Sequence, residues 1–336
     1  MAFITEEMIK EFQAQIEQID EPLKKSFLNI HNGYERETLV RFITAREGSV
    51  SDAYNMLIEC LNWRIQNGID DILAKPINPS DVYRAIRDTQ LVGVCGRTKE
   101  GLPVICIGVG LSTYDKASIH YYVQSHIQMN EYRDRVELPS ASKQYGRYIG
   151  TCVKVLDMTG LRFSALTQMK LLSAISTIDD LNYPEKTETY YIANASYIFS
   201  SCWKVVRPLL RERTRNRVQV LSGCGEDELL KIMDYESLPH FCRKEGSGCR
   251  NSRNGLASNC YSLDHAFHQR LYNYVKEQAA LVESAALVEH GSVHVDYPEP
   301  DPEDIKVAQT IKSEFQKLEN RKGSCDSSHE LEKSGD

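Results

Sequence analysis

Apolar residues recur at helical spacing through the first 88 positions. Met8, Phe12, Ile16 and Ile19 follow one another at intervals of four, four and three, which is one stripe of a helix. Ser51 stands before Ala53, Met56, Leu57, Cys60 and Leu61, which predicts a capped amphipathic helix that Gly68 closes. Ser80 opens a shorter one. From residue 91 the period changes. Segments 91–97 and 103–109 are apolar and flank Thr98-Lys99-Glu100-Gly101, the pattern of a hairpin. A helix-length stretch over 118–137 follows, then a strand over 150–158 and a helix over 165–180 with Leu171, Ile175 and Ile178 on one face. Strand 189–193, helix 198–210, strand 217–221 and helix 227–233 complete the series. Single strands alternating with helices predict an α/β fold, with a mixed, mostly parallel sheet and right-handed crossovers.

Beyond residue 243 the pattern decays. Residues 243–259 are rich in Gly, Ser, Asn and Arg, a linker composition. Residues 263–283 predict a solitary helix, and the Pro/Glu/Asp segment and polar end beyond His290 predict a tail largely without regular structure. The expected organisation is a helical N-terminal lobe at 1–88, a central α/β domain at 89–245, and a linker, helix and tail at 246–336.

Composition narrows the class. The 336 residues are 41% hydrophobic and 26% charged, the balance of an ordinary globular protein. A formal net charge of −7 argues against a surface built for nucleic acid. The acidic start has no cationic region followed by an apolar run, so no signal peptide is expected. The most apolar stretch, 102–111, is about half of what crosses a bilayer. The expectation is a soluble cytoplasmic monomer. The ten cysteines contain no CxxC pair, and several sit in apolar strands as small hydrophobes. His240, Cys242, Cys249 and Cys260 draw the outline of a zinc site, but the pairs lack the usual short ligand spacing, so no metal is expected.

Enzyme motifs are missing. There is no GxSxG elbow, GxxxxGK[ST] phosphate loop or HExxH. Gly223-Cys224-Gly225 lies between a strand and a helix, but Glu228 stands where a dinucleotide loop needs its third glycine. It reads as a plain turn. Neither catalysis nor a cofactor is expected.

The informative stretch is 181–241, with LNYPEKTETYYIANA at 181–195, IFSSCWKVVRPLL at 198–210, TRNRVQVLSG at 214–223 and DELLKIMDYESLPHF at 227–241. Together with RFITAR at 41–46, these residues resemble the CRAL-TRIO family. Within it they resemble the yeast secretory-type phosphatidylinositol/phosphatidylcholine transfer proteins, as a plant-like member. The resemblance covers roughly residues 35–242. It implies a helical lobe and a sheet floored by helices, enclosing an apolar cavity for one lipid. It also implies that Glu185 of YPE meets an inositol ring, that Thr214 and Arg217 meet the headgroup, and that Arg46 supports them. Arg217 stands where the family usually has lysine, which keeps the charge but presents a planar fork. The chemistry is coherent on its own terms. A phosphodiester brings one negative charge that a cation and a hydroxyl must meet, inositol hydroxyls need an acceptor, and Glu185 and Arg217 can offset each other's desolvation when no lipid is present.

For phosphatidylcholine the family uses a Ser and a Thr two apart on a strand, and those positions here are Cys152 and Lys154. The spacing puts them on one strand face. A lysine facing an apolar cavity is costly unless an anion joins it, and the alternative is a side chain that snorkels out of the sheet edge. Phosphatidylcholine is therefore expected to bind weakly. Helix 198–210 resembles the family's gate. Phe199, Trp203, Val206 and Leu210 form one stripe, Ile198, Cys202, Val205 and Leu209 the next, and Lys204, Arg207 and Arg211 a narrow basic arc. Residues 204–217 hold six basic residues against Glu212 alone, a patch suited to anionic lipid. The function implied is phosphatidylinositol binding and exchange with a second lipid, at Golgi, endomembrane or plasma membrane, on reversible peripheral docking. A neutral isoprenoid carrier and a non-transferring scaffold for a phosphoinositide kinase are the alternatives.

Overall fold

The computed structural model describes residues 4–162, 168–210, 212–244, 259–282, 293, 295–296 and 302–331. The N-terminal lobe comprises α1 (Glu6–Ile16), α2 (Glu21–His31), α3 (Glu35–Ala45) and α4 (Val50–Gln66). Thr5 caps α1 through a reciprocal box in which the Met8 sulfur accepts from the Thr5 N–H. Ile9 joins Phe12 and Ile16 in the core, and Met8 packs half-buried against it. The cap of α4 is Ser49, not Ser51, because Ser49 Oγ accepts from the Asp52 N–H at 3.3 Å. Phe12, Leu39, Phe42, Ile43, Leu57 and Leu61 fill the space between these helices.

A 3₁₀ turn (Ile69–Ala74) and α5 (Ser80–Thr89) lead to a five-stranded sheet in the order β1 (Val92–Arg97), β2 (Pro103–Gly108), β3 (Cys152–Asp157), β4 (Thr187–Ala193) and β5 (Val218–Val220). The β1–β2 hairpin is antiparallel and every later pairing is parallel. β2 reaches β3 through α6 (Ile119–Tyr132), a π turn (Arg133–Glu137) and α7 (Leu138–Tyr145). α8 (Met169–Asn182) joins β3 to β4, its expected start at 165–167 lying outside the described residues. α9 (Tyr197–Val206), a 3₁₀ turn (Arg207–Leu209) and α10 (Glu212–Arg217) join β4 to β5, and α11 (Glu226–Leu229) follows.

The strand alternation sorts the two faces of the sheet. Val104, Cys106, Val153 and Val155 pack with Leu138 and Ala141 of α7 and with Leu229 of α11. Ile105, Ile107 and Lys154 look the other way, into a cavity of about 60 Å³ that His126, Met129 and Asn130 of α6 help line.

The C-terminal part departs from expectation. The helix expected to be solitary, α12 (Ala266–Leu281), buries Phe267, Leu271 and Val275 in the same cluster as Ile69, Ile72, Tyr122 and Ile127. Phe267 also lines the cavity. Within the stretch expected to lack regular structure, Pro302–Leu331 forms α13. Its Ile311, Phe315 and Leu318, spaced four and three apart, find an apolar partner in Ile198 and Cys202 of α9.

Candidate functional site: a carboxylate clamped by two arginines

The turn Tyr183-Pro184-Glu185-Lys186 delivers α8 into β4. Glu185 takes a left-handed backbone conformation there, φ 61°, which is costly for a residue with a Cβ and holds only where the surroundings enforce it. They do so at both sides. The Pro184 carbonyl accepts from the buried Arg41 guanidinium at 3.5 Å, and the Lys186 carbonyl accepts from the Cys152 N–H at 2.9 Å. The Glu185 carboxylate is ion-paired to both Arg213 and Arg217 of α10. Arg213 also donates to the Thr44 carbonyl at the end of α3, 2.6 Å away, so the clamp ties helical lobe, sheet and gate region together.

Of the residues predicted for the headgroup, Glu185 and Arg217 meet. Thr214 lies exposed on α10, three residues before Arg217. Arg46 is the C-cap of α3, its N–H closing on Phe42 and Ile43, and its guanidinium has no hydrogen bond or ion pair among the described residues. The first arginine of RFITAR, Arg41, supports the turn instead. Arg213 carries no signal of its own in the sequence, where it is one of six basic residues in a run. Only the fold separates it, by aiming it inward while Lys204 and Arg207 stay exposed.

Lys154 neither faces an apolar wall unpaired nor snorkels out. Its Nζ lies 3.5 Å from Asp179 Oδ2 of α8 and 5.6 Å from the centre of the Tyr190 ring. Burial acts to lower the Lys154 pKa, but Asp179 with Tyr190 and Cys152 together outweigh it, and the ammonium titrates above its ordinary range. Asp179 in turn has His126 Nε2 at 2.7 Å and accepts from Asn130 at 2.7 Å. Burial opposes its ionisation, yet His126 and Lys154 hold its pKa well below the carboxylate range. Cys152 is fully buried and its thiol donates to the Lys186 carbonyl at 3.3 Å. Beside them Asp134 pairs with Arg133 at 2.7 Å and Lys186 at 3.1 Å. These charges are compensated inside the protein, which is the condition for burying them.

On α9, Ser196 caps the N-terminus and the Phe199 and Trp203 rings stack at 5.9 Å, half-buried. Cys202 and Val206 are buried, whereas Tyr197 is 73% and Val205 40% exposed, beside exposed Lys204 and Arg207. Pro208 falls in the 3₁₀ turn that ends the helix. Arg211 lies outside the described residues. At the Gly223-Cys224-Gly225 turn, Glu226, Asp227 and Glu228 line the adjacent open pocket, a setting hostile to a pyrophosphate.

A helical lobe joined to a mostly parallel sheet has known counterparts. Residues 8–59 match the CRAL/TRIO N-terminal domain, and residues 87–242 match the CRAL/TRIO domain. The chain belongs to the CRAL/TRIO family. It is 28% identical to the phosphatidylinositol/phosphatidylcholine transfer protein SFH9 of Arabidopsis thaliana over 67% of this chain and 40% of that protein. It is 27% identical to the SEC14 cytosolic factor of Eremothecium gossypii over 69% of this chain and 76% of that one. The match thus spans about two fifths of the length of SFH9, and 37% of SFH13. The crystal structure of Sfh5 superposes with a TM-score of 0.56 at 16% identity, over 84% of this chain and 99% of that one, a likeness of fold. Among the described residues no helix of this CRAL/TRIO protein is long and apolar enough to cross a membrane.

Proposed function

We propose that this CRAL/TRIO protein binds phosphatidylinositol and exchanges it with a second lipid at membrane surfaces, making and breaking no covalent bond. The observation that carries the reading is the clamp of one carboxylate by two guanidinium groups. Its formal charge is +1, the complement of a single phosphodiester, and swinging the arginines toward a phosphate frees Glu185 to accept from inositol hydroxyls. A neutral isoprenoid has no use for either group. Acyl chains entering an apolar interior contribute ~0.8 kcal/mol per CH₂. The cavity behind Lys154, about 60 Å³, holds a few waters at most, so loading requires the enclosure to open; α9, which does not line that cavity, is the helix proposed to move. The exposed Tyr197, Val205, Lys204 and Arg207 suit that helix to an anionic bilayer, and the place of action is the cytoplasmic face of endomembrane or plasma membrane, docked reversibly.

The test is native mass spectrometry of the full chain carrying its cellular lipid, alongside transfer of labelled phosphatidylinositol between vesicles. A phosphatidylinositol adduct with measurable transfer is expected. An isoprenoid adduct overturns the headgroup assignment, and an adduct without transfer replaces carrier by scaffold.

A further inference from the structure

The sulfur atoms of Cys95, Cys106 and Cys260 lie within 4.8 Å of one another, and His240 Nδ1 lies 3.6 Å from the Cys260 sulfur. Four separate pieces of chain supply these atoms: β1, β2, the turn before α12, and the 3₁₀ turn His240–Cys242. Two local devices bring them together. The β1–β2 register slips between Val94 and Gly96, which makes Cys95 the bulged residue and re-aims its side chain. Gly93, paired with Cys106, lets the Cys260 backbone lie directly on the strand, where an added Cβ would stand 1.9 Å from the Cys260 carbonyl oxygen. That carbonyl is held from the far side by His268 Nε2 at 3.1 Å. The His240 ring is fixed edge-on against Tyr261, with centroids 4.9 Å apart.

We propose that Cys95, Cys106, Cys260 and His240 form a structural zinc site that fastens the C-terminal segment to the hairpin of the sheet. Tetrahedral zinc with Zn–S of ~2.3 Å and Zn–N of ~2.0–2.1 Å places its sulfurs ~3.8 Å apart and nitrogen ~3.6 Å from sulfur. The His240–Cys260 separation matches and the three sulfurs lie within 4.8 Å of one another, whereas His240 stands outside that cluster and must close on at least one of the other two sulfurs to complete the tetrahedron. The donor set selects the metal, since three thiolates and an imidazole suit zinc and not a hard cation. Four protein ligands leave no open position, so the site is structural. Zinc forms three Zn–S bonds and one Zn–N bond, and the three thiol protons leave to solvent with no redox partner required. Sequence spacing concealed the set because two ligands are strand residues joined by pairing, and only His240 and Cys260 come from the quartet visible in the sequence.

The consequence is mechanical. Cys260 stands six residues before the start of α12, and α12 contributes Phe267 to the cavity wall. The metal would therefore hold that wall in register with β1 and β2.

The experiment is metal analysis of the full chain purified without chelator, followed by cobalt(II) substitution and thermal melting with and without chelator. About one zinc ion per chain is expected, with an intense thiolate-to-cobalt charge-transfer band in the substituted protein and a chelator-induced fall in melting temperature that zinc, not magnesium, reverses. Cys260→Ala and His240→Ala should lose the metal, and Cys60→Ala, at a buried cysteine outside the cluster, should keep it. Zinc below about a tenth per chain in the unmodified protein overturns the proposal whatever the variants do. So do iron or copper in its place, a Cys95–Cys106 disulfide, or full zinc retention by folded Cys260→Ala.

Discussion

Glu185 is where one side chain decides most. Replacing it and Arg217 together by Ala removes charged hydrogen bonds worth ~1.5–3 kcal/mol each, so phosphatidylinositol loading should fall on the order of a hundredfold. Circular dichroism should stay native, because the clamp is partly exposed and Arg213 keeps its Thr44 contact. Undiminished transfer by the folded double variant ends the headgroup reading. Lys154 calls for a different experiment, because Asp179 depends on it. Lys154→Thr alone leaves the buried Asp179 carboxylate with His126 and Asn130 only and should destabilise the protein. Cys152→Ser and Lys154→Thr with Asp179→Asn remove the buried pair and restore two hydroxyls, and should raise phosphatidylcholine transfer over the native protein. No rise in the folded triple variant means those positions do not select the second lipid. Glu185 and Arg217 are legible in the sequence because YPE and TxxR carry a family resemblance. Asp179, Arg213 and Arg41 are not, since each is an ordinary charge until the fold supplies its partner.

Elements follow the same rule with a wider margin. Most strands and helices from 91 to 233 declare themselves by period, since the sheet is covered on both faces and leaves long apolar runs; α7 and the polar α10, which takes Arg217 out of the expected strand, do not. α12 is legible as a helix but its place in the core is not, and α13 is not legible, because their apolar stripes acquire meaning only against surfaces of the Ile69–Ala74 turn, α6 and α9 distant in sequence. α13 seats Phe315 and Leu318 on Cys202 and Ile198, residues of the helix proposed to swing for loading. Phe315→Asp should free α9 and raise co-sedimentation with anionic vesicles severalfold. Adding Lys204→Glu and Arg207→Glu should reverse that gain by roughly tenfold or more, at ~1 kcal/mol per charge near the surface. Raising salt should weaken docking of the native protein through screening. If vesicle binding ignores Phe315→Asp, membrane charge and salt alike, α9 is a core helix and its basic residues a solvated face.

Across the whole molecule, one buried ion network sits between the helical lobe and the sheet domain. Arg64 of α4 grips Glu131 of α6 with two bonds, 2.7 and 3.0 Å, and Asp70 at 2.7 Å. Arg135 adds a contact to Glu131 at 2.7 Å, and the Tyr183 hydroxyl donates to it at 2.7 Å, two residues before Glu185. Nothing in the sequence marks these residues as a set, because their separations along the chain run to dozens of positions. Burial works to raise the Glu131 pKa, but Arg64 and then Arg135 hold it at about 2, against an ordinary value of 4.5. The unfolded chain therefore binds the extra proton between those two values, so stability rises with pH through that window. The contribution, on the order of 3 kcal/mol, is complete above the unfolded value and is lost as pH falls through the folded one. Glu131→Gln keeps the shape, removes the charge and leaves Arg64 only Asp70. Urea midpoints at neutral pH should drop by the equivalent of roughly 3 kcal/mol, and the gap between variant and native protein should close toward about pH 2. Fluorescence of Trp63, read in a Trp203→Phe background, reports on the core at this junction. Equal gaps at neutral and acid pH mean that Glu131 carries no proton-linked stability.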